Sequence, residues 1–92
     1  MIVRQGDLKK KNEYMIKQTR FFVLSRDGQI KYYKDKTLHR GTVLLCRETR
    51  VTKTSRTSFE IVAPSRTWFL YEVETNTIDA WIRDIEAIVA DL

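Results

Sequence analysis

Glycine, proline, cysteine and histidine are all scarce in this sequence: three, one, one and one among 92 residues. Gly6, Gly28 and Gly41 stand alone, so they form no glycine-rich loop able to turn several backbone N–H groups onto one phosphate. A single cysteine, Cys46, excludes an intrachain disulfide and fits a reducing compartment; it is expected to pack as a small apolar residue. One histidine and one cysteine fall short of a structural zinc set. His39, expected in a solvated loop, has no nucleophile and orienting acid at a recognisable spacing. No catalysis, metal or cofactor is therefore expected. The sequence also lacks an apolar run of membrane-spanning length, and its start, MIVRQGDLKK, has neither the apolar core nor the cleavage site of a secretory signal. A cytoplasmic location follows as the expectation.

What is abundant is positive charge, unevenly placed. Residues 1–40 hold eleven Lys/Arg against four acids, whereas residues 41–92 hold six against eight. The N-terminal half is thus suited to meeting an anion. The chain length suits one domain, 1–92, with one small core that buries about 60–70% of the unfolded surface.

Periodicity divides the chain into strands and a helix. Asp27-Gly28 separates RFFVLS from QIKYYK, and Pro64-Ser65 separates SFEIVA from TWFLYEV; both are hairpin signals between alternating runs. Further strands are expected at Val3–Lys10, Gly41–Cys46 and Arg50–Lys53, making about seven. After Thr75 the apolar step changes to three and four: Ile78, Trp81, Ile82, Ile85, Ile88 or Val89, and Leu92 fall on one helical stripe. Asn76 is the expected N-cap, with Asp79 three residues on. The fold class is mainly β, a small barrel or sandwich plugged by one amphipathic C-terminal helix.

Strand parity selects candidate site residues. If Phe22 and Leu24 face the core, Arg20 and Gln18 face inward further along the same strand. By the same rule Leu8 leads to Lys10, and Ile30 leads to Tyr32 and then Lys34. Antiparallel succession puts these transitions at one end of the sheet, where Lys10, Arg20 and Tyr32 converge. Inward cations there must reach water or an anion, because an unpaired charge in low dielectric is costly. A phosphate satisfies guanidinium, ammonium and phenol together; snorkelling to solvent, or pairing with Asp7 or Glu13, is the alternative.

The ordered fragments GDLKKK, TRFFVLSRDGQIKYYKD, RGTVLL, SFEIVAPSRTWFLYEVET and DAWIRDI closely resemble the pleckstrin homology (PH) domain over nearly the whole chain. The resemblance implies a seven-stranded split barrel capped at one end by the C-terminal helix, with phosphoinositide head groups taken at the open end. It also implies head-group roles for Lys10, Arg20, Tyr32 and Arg40, because the family's lipid signature places basic residues after the first strand's Leu and at a basic-x-Arg pair opening the second. Gln18 stands at the first position of that pair, while the adjacent Lys17 has the opposite parity. Tyr32 matches the third-strand tyrosine of many 3-phosphoinositide readers. A weaker similarity, to the PH domain of phosphoinositide-dependent protein kinases, is carried by SRTWFL, residues assigned here to the scaffold.

The expected function is a phosphoinositide-binding, membrane-targeting signalling module, 3-phosphoinositides favoured, recruited peripherally from the cytoplasm. Lys9, Lys11, Lys17 and Lys34 supply secondary electrostatic attraction. Tyr14, Met15 and Ile16, at the tip of the loop after the first strand, either enter the lipid interface or fold under the loop as satellite core. The alternative is a protein-interaction or scaffold domain with little lipid affinity. Nucleic acid, with Phe21, Tyr33 and Trp68 as stacking surfaces, is disfavoured because the charge gathers at one loop end instead of tracking a groove.

Overall fold

A computed structural model describes all 92 residues. Seven strands precede one helix: β1 (Ile2–Lys11), β2 (Lys17–Ser25), β3 (Gln29–Lys34), β4 (Leu38–Leu44), β5 (Arg50–Ser55), β6 (Ser58–Val62), β7 (Thr67–Glu72) and α1 (Ile78–Ala90). Every adjacent pair is antiparallel, in the order β4-β3-β2-β1-β7-β6-β5. Two meanders, β1 to β4 and β5 to β7, are joined through the β1–β7 ladder.

Alternation sets the core. Phe22 pairs with Tyr32, Leu24 with Ile30, Ile61 with Trp68 and Phe59 with Leu70, and all eight side chains are buried. A slip of one residue in any of these ladders would turn an apolar row to solvent, so the pattern fixes the register. The β2–β3 turn closes as its composition predicts. Gly28 sits at φ 92°, its N–H donates to the Ser25 carbonyl (3.1 Å), and Asp27 Oδ1 accepts from the Gln29 N–H (3.2 Å). A side chain at this φ would be strained.

The helix covers the barrel interior with Ile78, Trp81, Ile85 and Ile88, while Ile82 and Val89 flank the stripe, half-buried. It packs on β5, β1 and β6. Arg4 Nε of β1 donates to Asp84 Oδ2 (2.6 Å) and ties the two elements.

Five expectations are corrected. The N-cap is Thr77, not Asn76: Asn76 lies at φ 60°, a left-handed conformation that Asn tolerates better than most residues, and the helix starts one residue later. Thr77 makes no cap bond; its hydroxyl donates to the Glu74 carbonyl (2.7 Å). Leu92 lies past the helix end and is exposed. β4 begins at Leu38 and ends at Leu44, because the preceding turn, Asp35-Lys36-Thr37, is made with two left-handed residues (φ 56° and 66°) and no glycine to announce it. Consequently His39 is in a strand, edge-on to Tyr33 and 3.1 Å from Thr42 Oγ1, not in a loop. Cys46 falls in the connection to β5, half-buried, where its N–H donates to Thr49 Oγ1 (3.0 Å) and Leu45 takes the core position.

Candidate functional site

Four adjacent strands and one distant turn deliver the cations and the phenol of the candidate site. Lys10 is the cross-strand partner of Gln18 on β2 and Leu70 on β7, so parity points it inward, and it is only 6% exposed. Its ammonium lies 5.2 Å from the centroid of the Tyr32 ring. No buried polar side-chain atom of the molecule is left without a partner, so the Lys10 Nζ, which has no acceptor, opens to the mouth cavity. That cavity, of about 410 Å³, is lined by Lys10, Lys11, Glu13, Tyr32, Arg66 and Phe69, among others.

Tyr32 is 7% exposed and wedged between Phe22 (5.4 Å between centroids) and Trp68 (5.6 Å). Its ring lies over Gly41, its partner on β4, where any Cβ would overlap the phenol. Glycine at 41 is therefore a requirement of space. Arg20 is half-buried; its Nη1 donates to the Thr19 carbonyl (2.8 Å), and it lines a neighbouring cavity with Asp7 and Asp35 while its charge still acts on Lys10 and Tyr32. Arg40 is exposed and sits at the irregularity in the β3–β4 ladder, next to the Tyr32–Gly41 pair.

Arg66 completes the set. The β6–β7 turn is closed by reciprocal backbone bonds between Ala63 and Arg66 (2.9 and 3.3 Å), and the guanidinium stacks 3.6 Å over the Trp68 ring. By sequence resemblance Arg66, within SRTWFL, belongs to the scaffold. The parity rule that picked out Arg20 finds it equally well, since Arg66, Trp68 and Leu70 alternate along one inward face.

The electrostatics of this mouth are one-sided. Burial lowers the Lys10 pKa, and the guanidiniums of Arg66, Arg20 and Arg40 lower it further. Burial raises the Tyr32 pKa, opposed by the same three arginines. The molecule's ion pairs are Arg4–Asp84, Lys53–Asp79 and Arg83–Asp84, so none of the four mouth cations has a carboxylate within 4.0 Å. Lys10 and Tyr32 thus feel the charges of Arg20 and Arg40 as well as Arg66; Glu13 lines the Lys10 cavity and Asp7 the cavity of Arg20, and neither is in ion-pair contact with these cations.

The secondary lysines are placed differently. Lys9, Lys11 and Lys17 face outward: Lys17 stacks 3.9 Å from the Tyr71 centroid, and Lys11 lies near both Tyr71 (5.6 Å) and Phe69 (5.7 Å). Lys9 and Lys17 lie on the outer wall beside the mouth, while Lys11 also lines the mouth cavity. Lys34 is exposed at the end of β3. The loop-tip residues Tyr14, Met15 and Ile16 are 75%, 59% and 59% exposed, so none forms satellite core. A cavity of similar size, about 450 Å³, lies between Arg47, Arg50 and the C-terminal part of α1, where no buried cation faces it.

The PH-domain family model matches residues 1–92, and the chain belongs to that family. No curated protein matches it. Among solved structures, the C-terminal PH domain of pleckstrin in complex with D-myo-Ins(1,2,3,4,5)P5 is 26% identical over 96% of this chain and 98% of that chain, with a TM-score of 0.85. The same pleckstrin domain in complex with D-myo-Ins(1,2,3,5,6)P5 is 25% identical, covering 97% and 96%, with a TM-score of 0.86. The PH domain of human oxysterol-binding protein-related protein 11 shares the fold, at 22% identity over 96% of this chain and 80% of that chain, with a TM-score of 0.79. No helix of the present chain is long and apolar enough to cross a membrane.

Proposed function

We propose that this PH domain is a membrane-targeting module that binds the phosphorylated inositol head group of a phosphoinositide, 3-phosphoinositides favoured, and so is recruited peripherally from the cytoplasm. It acts as one unit over residues 1–92, by binding and not by catalysis. The observation that carries the reading is Lys10: a side chain almost buried, its ammonium open to the mouth and acted on by three guanidiniums, with no carboxylate in ion-pair contact with any of them. Such a cluster is unfavourable until an anion enters, and a polyphosphate supplies acceptors to all of them. The pleckstrin complexes with inositol pentakisphosphates support the ligand class. The preference for 3-phosphoinositides rests on the resemblance of Tyr32 to the third-strand tyrosine of their readers.

Magnitudes favour shared work between head group and surface. Four or five basic residues near an anionic leaflet contribute roughly 4–5 kcal/mol, equivalent to about millimolar binding. Micromolar affinity needs roughly 3–4 kcal/mol more, which two charge-assisted hydrogen bonds supply. Arg20→Ala removes one such donor and is expected to weaken retention on vesicles containing 3-phosphorylated phosphoinositides by about tenfold to a hundredfold. Equal retention of wild type and variant in a sedimentation assay would reject the pocket.

A second reading, a protein-interaction or scaffold domain with little lipid affinity, draws on Gln18. It faces the mouth as the partner of Lys10, at a position where the family's lipid signature carries a cation. The two readings divide on Gln18→Lys, expected to tighten vesicle binding and widen head-group tolerance. No change in a lipid-panel titration favours the scaffold.

A further inference from the structure

The loop between β1 and β2 is folded around one side chain. Asn12 Oδ1 accepts hydrogen bonds from the backbone N–H groups of Tyr14 (2.9 Å) and Ile16 (3.0 Å). The Asn12 N–H donates to the Ile16 carbonyl (2.9 Å), and its carbonyl accepts from the Met15 N–H (2.9 Å). This arrangement holds Met15 at φ 63°, in the left-handed region that favours glycine or asparagine. Elsewhere the chain gives positive φ to Gly28, Asp35, Lys36 and Asn76; Met15 is the one apolar residue so placed. It is also 59% exposed, so core packing does not offset the unfavourable backbone. A strained position kept without a stabilising return points to use.

We propose that Asn12 is a positioning residue: it presents Tyr14, Met15 and Ile16 as a pre-shaped apolar wedge to the interface of an anionic bilayer. The inference rests on the membrane reading above and adds the device by which the tip enters. Charge complementarity commits the wedge to an anionic lipid surface, since Lys9, Lys11 and Lys17 lie on the outer wall at its base with no acid paired to them. An unlatched loop would have to lose its conformational freedom on insertion; with the latch that ordering is complete beforehand.

The test compares Asn12→Ala and Met15→Gly with wild type in two titrations. One uses soluble D-myo-Ins(1,2,3,4,5)P5; the other uses phosphatidylcholine vesicles containing phosphatidylserine and a 3-phosphoinositide. Amide hydrogen exchange follows the loop. For Asn12→Ala the ratio of vesicle to soluble affinity is expected to fall about tenfold, with faster exchange at Tyr14 and Ile16. For Met15→Gly the ratio is expected to fall by at least about tenfold, while the melting temperature does not drop. A wild-type ratio in Asn12→Ala, whatever its exchange, overturns the latch and leaves the membrane reading standing. A lower melting temperature for Met15→Gly overturns the strain argument. A wild type that binds the soluble pentakisphosphate but ignores vesicles overturns the membrane reading and the wedge together.

Discussion

A Lys10→Met chain is expected to leave 3-phosphoinositide vesicles and yet to melt at a higher temperature than wild type. Both effects have one cause. The side chain is nearly buried and its ammonium feels the charges of Arg66, Arg20 and Arg40, so its charged form is disfavoured in the empty domain. Methionine keeps the unbranched stem against Tyr32 and removes the charge, which relieves the domain and deprives a phosphate of its innermost donor. Loss of one charge-assisted bond of about 1.5–3 kcal/mol corresponds to a weakening of roughly tenfold to a hundredfold. The pH dependence has a definite sign. Unfolded, Lys10 titrates near 10.5; folded, its pKa lies lower. Between those two values the unfolded chain holds more protons, so the native state gains stability as pH rises through that window. Lys10→Met abolishes that alkaline gain. Thermal melts of both proteins across the alkaline range, with vesicle sedimentation at neutral pH, check the prediction; a lower melting temperature with binding intact would contradict it.

Trp81→Ala is expected to produce the largest loss of stability of any single substitution in the helix, about 3–5 kcal/mol. Trp81 is fully buried at the centre of the stripe that closes the barrel, among Ile78, Ile85 and the strand residues of the core. A domain of this size has about 5–15 kcal/mol in total, so the variant sits near the edge of folding, its melting temperature lower by roughly 15 °C or more. Urea denaturation provides the measurement. A change below about 1 kcal/mol would mean that the helix is not integral to the core. Because the mouth is at the end of the barrel away from the helix in the expected architecture, whatever Trp81→Ala protein remains folded should still bind head group, separating the site from its support.

The parts of this molecule that were legible in sequence are those where one residue type dictates one backbone state or one face. Gly28 after Asp27 announces its turn, the three-and-four spacing from Ile78 to Ile88 announces the helix, and alternation places Leu8, Phe22, Leu24 and Ile30 inside. The turn before β4 was illegible because Asp35 and Lys36 adopt left-handed geometry that their composition does not demand. The N-cap was displaced for a related reason: Asn76 suits both a cap and a left-handed turn, and chain geometry chose the turn. At the site, parity along β1, β2 and β3 brought Lys10, Arg20 and Tyr32 together, since neighbouring ladders convert sequence offset into position. Parity along β7 gives Arg66 the inward face of Trp68 and Leu70; that this face stands beside Lys10 depends on the β1–β7 ladder, a pairing between residues far apart in sequence. The outward stacking of Lys11 and Lys17 on Tyr71 depends on that same long-range pairing.

Lipid specificity at raised ionic strength is the most direct test of the claim that the mouth grips an inositol phosphate. Wild-type protein is titrated with vesicles carrying a 3-phosphoinositide and with phosphatidylserine vesicles matched in surface charge, at about 0.1 M and at severalfold higher salt. Retention by the 3-phosphoinositide vesicles at both salt concentrations, and by the phosphatidylserine vesicles at neither or only at the lower, is the expected result. Equal retention by the two vesicle types, lost together as salt rises, would contradict it and leave only diffuse attraction by surface lysines.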